Sequence, residues 1–263
     1  MSTLTITRPA ATLRPVIGAE WTKVRTLRAT GVTVAVALGA SVALSLLAVN
    51  GQRQSWATMT VQERADFDPV SAALVGVLLT TLVLGSLAAR AVTTEYATGM
   101  LRTTFTAMPH RRQVLITKAA IVAAVAVAVG LVANAVSFLL GQELLASTGV
   151  AVSIGDPGSA RAVVFGALGV GLFAVVAVSL GTILRRATTA NILLALLVVG
   201  GQLIGPALPA DARPYLPSAA LEALVTTNPA GDTLAPLTAL LVLGAGAATL
   251  LVVATTVIAR RDP

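Results

Sequence analysis

Residues 162 to 184 read AVVFGALGVGLFAVVAVSLGTIL, a run without Asp, Glu, Lys or Arg, bounded by Arg161 on one side and Arg185-Arg186 on the other. At a helical rise of about 1.5 Å per residue, some 20 apolar residues cross a hydrocarbon core of about 30 Å. Five further runs of this length occur: Ala29 to Gln52, Pro69 to Ala89, Ala119 to Gln142, Ala187 to Ala210 and Thr233 to Ala259. The pattern predicts an all-α polytopic membrane protein with six transmembrane helices at about 29–52, 69–89, 119–142, 162–184, 187–210 and 233–259. These form a single transmembrane domain over 1–263.

The composition agrees. The chain is 56% hydrophobic and 11% charged, against roughly 25% charged in a soluble domain, so little remains for a water-soluble unit. The net charge of +7 reflects topology rather than nucleic-acid binding. Fourteen of the 18 Lys and Arg residues fall before the first run, between the second and third, between the fourth and fifth, or after the sixth. By the positive-inside rule this side, with both termini, is cytoplasmic. Eight of the 11 acidic residues lie on the other side. The first run starts near residue 29 and is about twice as long as a signal-peptide core, so a cleaved leader is not expected.

Outside the runs, residues 1–13 are Thr-rich and expected to be flexible. Over 15–28, Val16, Ile17, Trp21, Val24 and Leu27 share one helical arc, which predicts an amphipathic helix in the cytoplasmic interface. Glu20 intrudes on that arc, either pairing with Lys23 or meeting a protein partner. Gly155-Asp156-Pro157-Gly158 reads as a turn, and Arg185-Arg186 as a tight link between the fourth and fifth spans. Ser218 to Val225 is expected to form a short helix capped by Ser218.

The six runs hold no ionisable group, whereas carriers driven by protons or sodium generally need one at membrane depth. Asn134, Ser137, Asn191 and Gln202 are their main polar groups, expected in interhelical hydrogen bonds. There is no cysteine, one histidine (His110), and no Lys in a phosphate-binding glycine loop, since the only lysines are Lys23 and Lys118. The chain carries no catalytic constellation, so it is not expected to be an enzyme, and if it does work on a substrate the energy must come from another polypeptide. Its docking site is sought between Arg90 and Lys118, where Tyr96, Met100, Leu101, Phe105 and Met108 fall at helical spacing before Pro109. Periodicity leaves two readings open: this amphipathic helix lies flat on the membrane, or it enters a groove on a partner.

The ordered elements resemble permease subunits of ATP-binding-cassette exporters of the second type. They are Glu20-Trp21-Thr22-Lys23, six spans, Glu95-x3-Gly99 followed by Leu101-Arg102 and Pro109-x-Arg111-Arg112, Leu216-Pro217-Ser218, and a terminal Arg260-Arg261. The resemblance implies a permease dimer, a homodimer or a pair with a similar permease, bound to two copies of a cytoplasmic ATPase that carries the ATP and Mg. It implies that Glu95 to Pro109 is a cytoplasmic coupling helix between the second and third spans. There Glu95 bonds a basic or backbone group, Gly99 permits close approach, and Met100, Leu101 and Phe105 anchor the contact. Tyr96, Arg102, Pro109, Arg111 and Arg112 belong to the same segment, and the helix bearing Glu20, Trp21 and Lys23 packs beside it as an elbow. Unlike larger relatives, the chain has no big domain between the first two spans. The expected cargo is an amphipathic or hydrophobic drug, antibiotic, peptide or lipid-linked compound, since the spans offer apolar walls. A non-transporting scaffold or immunity protein and an ATP-independent channel are the rival readings. The preference for Arg over Lys and for Ala, Val, Leu and Gly suggests a GC-rich bacterial genome, and hence a bacterial plasma membrane.

Overall fold

A computed structural model describes residues 28–98, 111–228 and 233–260. The expected flexible segment 1–13 and the interfacial helix with Glu20, Trp21 and Lys23 lie outside the described residues. So do Gly99, Met100, Leu101, Arg102, Phe105 and Pro109 of the coupling segment.

Among the described residues the fold is helical without strands. In chain order the helices are α1 Arg28–Ser55, α2 Val61–Ala65, α3 Pro69–Leu74, α4 Val77–Ala97, α5 Arg111–Leu145 and α6 Ser159–Leu184. They continue with α7 Ala187–Val199, α8 Gly201–Ile204, α9 Pro217–Val225 and α10 Pro236–Arg260. Five stretches are long and apolar enough to cross a membrane: α1, α3 with α4, α5, α6 and α10. A sixth results if the bent pair around Gly200 is counted as one span. The chain is a multi-pass membrane protein.

α6 is the hub. In its most apolar window 72% of the residues are buried, against 22% or 28% for α1, α5 and α10. Its glycines allow this packing, because lipid tails are as apolar as leucine and close backbone approach must supply the attraction between spans. A β-carbon at Gly169 would come within 2.8 Å of Leu221 and 2.9 Å of Leu224, and one at Gly181 within 3.0 Å of the Ala89 carbonyl. α9 and α4 therefore touch the α6 backbone at different depths.

Two spans depart from straight helices. The second divides at Val75-Gly76 into α3 and α4. There the Ser41 hydroxyl of α1 donates to the Gly76 carbonyl at 2.9 Å, and the Gly76 amide donates to the Ser45 hydroxyl at 3.0 Å. Two serines one turn apart on α1 thus hold both backbone groups of the break. This span also continues to Ala97, beyond the end at Ala89 marked by the first charge, Arg90. The fifth run does not form one helix. α7 has 13 residues, about 20 Å at helical rise, and the chain then bends by 59° at Gly200. After a 3-10 turn over Ala210–Tyr215, α9 continues toward the far end, packed against α6, α10 and α7. α9 is not capped by Ser218: Leu216 occupies the cap without a side-chain bond, and Pro217 starts the helix with its preset φ.

The polar groups inside the runs divide. Asn134 donates to the Val163 carbonyl at 3.2 Å and Asn191 to the Ser86 hydroxyl at 3.0 Å, both between helices. The buried Ser137 hydroxyl has no partner among the described residues, and Gln202 is exposed beyond the bend rather than buried between spans.

Candidate functional site

One end of the bundle carries exposed Arg90, Arg112, Arg186 and Arg260 and is called the basic end. Within this rim the last turns of α4 approach the first turns of α5. Lys118 Nζ lies 2.7 Å from Glu95 Oε1, with the two side chains only 4% and 10% exposed. A buried ion pair has to recover a large desolvation cost, so it is poor evidence for stability alone. Removing one partner strands the other charge. Glu95 thus stands inside α4 and accepts from a cationic partner of the same chain. The six runs themselves hold no ionisable group, but the helices extend past them, and an acid and a base enter the bundle together just outside the second and third runs, one from each flank of the coupling segment.

The next residue, Tyr96, is half-buried, and the Arg185 guanidinium carbon lies 5.1 Å from its ring centroid, within cation–π range. Arg185 is the link between α6 and α7. It adopts φ +56°, the only positive φ of a non-glycine among the described residues, and its amide closes α6 on the Gly181 carbonyl at 3.0 Å. This C-terminal position is the one where glycine normally relieves the left-handed conformation. The end of α4 therefore meets α5 through Glu95 and the α6–α7 turn through Tyr96. Gly99 to His110 lie just beyond, outside the described residues; α5 begins at Arg111, and Arg112 is exposed on its first turn.

At the opposite end Asp68 caps α3, its Oδ1 accepting from the Val70 and Ser71 amides at 3.0 and 3.1 Å. Asp-Pro is a recognisable helix start. The same carboxylate accepts from the Thr227 amide at 2.6 Å, the Thr227 hydroxyl at 2.8 Å and the Asn228 amide at 3.0 Å. Arg161 of α6 donates to the Thr226 carbonyl at 2.8 Å and the Leu224 carbonyl at 3.4 Å. Together they fasten the end of α9 to α3 and α6. Beside this knot is an open cavity of about 610 Å³ reached by Arg161, Phe165, Thr226 and Leu237. Deeper between α6, α7 and α10 is an apolar groove of about 360 Å³ with Phe173, Leu197, Pro217 and Gly246 on its walls. In the loop before α3, a capping box joins Thr60 and Glu63. The Thr60 backbone and hydroxyl hydrogen bonds hold the Glu63 carboxyl below the usual range.

Of the residues singled out from sequence, Glu95 and Tyr96 fall in one junction with Lys118 and Arg185, two residues the coupling assignment left out. A lysine directly before an apolar run is a weak signal that a buried charge is near. Nothing local marks Arg185 as a partner of Tyr96.

Residues 16–201 match a family model described as ABC-2 family transporter protein. No curated protein matches the chain.

Proposed function

The chain belongs to the ABC-2 family of transporter proteins and is a membrane subunit of that transporter class, and on that premise we propose that it is the translocating half of an ATP-driven exporter. The observation that carries the reading is the match over 16–201, in a chain of apolar spans without a nucleotide-binding loop of its own. A separate ATPase, in two copies and carrying ATP and Mg, docks on the segment after Glu95. The basic end is cytoplasmic, with both termini, and the membrane is a bacterial inner membrane. The exposed arginine rim supports that orientation.

A second copy completes the path. Gln202, Leu203 and Ile204 are exposed on α8, about 20 Å along the fifth span from the basic end, and from Gly205 to Leu216 the α-helix gives way to short 3-10 turns joined by extended residues. Hydrocarbon does not satisfy such groups, so irregular backbone at membrane depth faces protein or a water-filled passage. This supports a homodimer with these surfaces turned inward. The apolar groove favours an amphipathic or hydrophobic cargo.

Affinity purification of the full chain from its own cells tests the docking assignment. The expected result is a co-purifying Walker-type ATPase, lost from Gly99→Trp and Leu101→Arg variants that still insert in the membrane. Retention of a full complex by both variants would sink the assignment.

A further inference from the structure

We propose that Lys118 and Arg185 are positioning residues that join the end of α4 to α5 and to the α6–α7 turn, so that displacement of the segment between α4 and α5 moves α4, α5 and α7 as one body. The inference rests on the proposed exporter reading and extends it to how motion leaves the docking segment. Three observations converge on it.

The first is the placement of the Glu95–Lys118 pair. Glu95 is two residues from the end of α4 at Ala97, and Lys118 is on the third helical turn of α5. The two helices that flank the docking segment in sequence are therefore linked by a buried contact of 2.7 Å. Lys118 is 97% buried as a residue. A slide of α4 past α5 would have to break this buried, charge-assisted contact, which resists the movement.

The second is the backbone of Arg185. A left-handed residue with a β-carbon carries strain that glycine at the same position avoids. The guanidinium placed there covers the Tyr96 ring. Strain at this turn is explained if the side chain has to reach α4.

The third is connectivity. Arg185 and Arg186 are all that separate α6 from α7, so whatever Tyr96 holds is held at the base of α7. α7 ends at the 59° bend, after which the chain passes through α9 to the knot at Asp68. α7 also lies directly on α4, where the space at Gly85 is filled by Leu194. Glu95 and Tyr96 thus direct one push into two elements: α5, and the element that leads to the opposite end.

The test uses the full chain with the ATPase that co-purifies with it. Because the chain has no cysteine, single cysteines introduced at exposed Thr189 of α7 and exposed Thr249 of α10 accept spin labels without background, and their separation reports movement of α7 against a helix outside the proposed body. The distance between them is measured before and after trapping with ATP and vanadate. In the otherwise native chain the distance distribution is expected to shift on trapping. In Lys118→Met and in Arg185→Gly the ATPase is expected to remain bound and to trap nucleotide, while the shift falls at least threefold. Arg185→Gly discriminates most sharply, since glycine relieves the left-handed turn and a merely structural role predicts no loss. The exchange Glu95→Lys with Lys118→Glu is expected to restore part of the shift that Lys118→Met loses. An unchanged shift in Arg185→Gly overturns the inference for the turn, and one in Lys118→Met overturns it for α5. Variants that lose the ATPase overturn it by placing these side chains at the docking contact itself. A native chain that brings down no ATPase overturns the exporter reading, and this inference falls with it.

Discussion

Gly76→Ala should destabilise the protein far more than any other Gly→Ala change in its helices that meets open space. A β-carbon at Gly76 would lie well inside contact distance of the Ser41 backbone oxygen, and 2.7 Å from both the Ser41 and Ser45 hydroxyl oxygens. The hydroxyls can rotate, but a backbone oxygen inside α1 cannot, so α1 and the α3–α4 break must separate. Overpacking of this kind costs about 1–3 kcal/mol. Separation also lengthens the two serine bonds at 2.9 and 3.0 Å, worth about 0.6–2 kcal/mol each inside a membrane. Alanine returns at most about 1 kcal/mol of helix propensity. The net loss is about 3 kcal/mol, a fall in Tm of about 10 °C for a chain of this size. Gly246→Ala is the control: nothing lies within 4 Å of its added carbon, and propensity alone should leave it neutral or slightly more stable. Thermal unfolding of both variants in mild detergent, followed by circular dichroism, makes the comparison. If Gly76→Ala melts within about 2 °C of Gly246→Ala, the close approach of α1 to the break is wrong.

Asp68→Asn keeps an oxygen for the α3 cap but turns an amide nitrogen toward the Thr227 and Asn228 amides, which now donate to a carboxylate. Charge-assisted bonds of this type are worth about 1.5–3 kcal/mol each. Hydrogen exchange at those two amides should therefore accelerate at least tenfold, with little change in the middle of α6. Acidification acts on α2. The folded Glu63 pKa is depressed, so its contribution is present above the unfolded value of about 4.3 and disappears as pH falls through the folded one. Amide protection at Thr60, which donates to the Glu63 carboxylate, should drop selectively below about pH 4 in the native chain and lose that pH dependence in Glu63→Gln, whose side-chain oxygen still accepts the bond. Gly169→Leu should block the seating of α9, because Leu221 and Leu224 already fill that space. Its signature is proteolytic nicking between Ala210 and Tyr215 in a chain whose other spans stay protected.

The run from 162 to 184 was legible to within three residues of α6, Ser159–Leu184, because charged residues bracket it and nothing inside it breaks a helix. The fifth run was legible as apolar but not as bent. Gly200-Gly201 is ordinary in a membrane span, and the bend is supported by α9, which arrives from beyond the run and brings Ser218 against Gly201. Glu95 and Tyr96 stood out from spacing and resemblance, yet their surroundings did not. A charge near Arg90 reads as the end of a span, whereas α4 continues because Lys118, 23 residues on, makes burial of Glu95 possible. The Asp68 cap was written locally as Asp-Pro, but its second set of partners lies 159 and 160 residues away, beyond the reach of any window. In each case the missing part is a partner from outside the local window: a packed helix at the bend, and a distant hydrogen-bonding group at Glu95 and Asp68.

The central claim is that this chain forms the path and another polypeptide supplies the energy. The most direct measurement is release of a fluorescent amphipathic dye, ethidium, across the membrane of liposomes holding the purified chain with and without the ATPase that co-purifies with it. The account predicts movement of dye that needs both ATPase and hydrolysable ATP, and none from the chain alone. Equal dye movement from the chain alone, unaffected by ATPase or ATP, would contradict it.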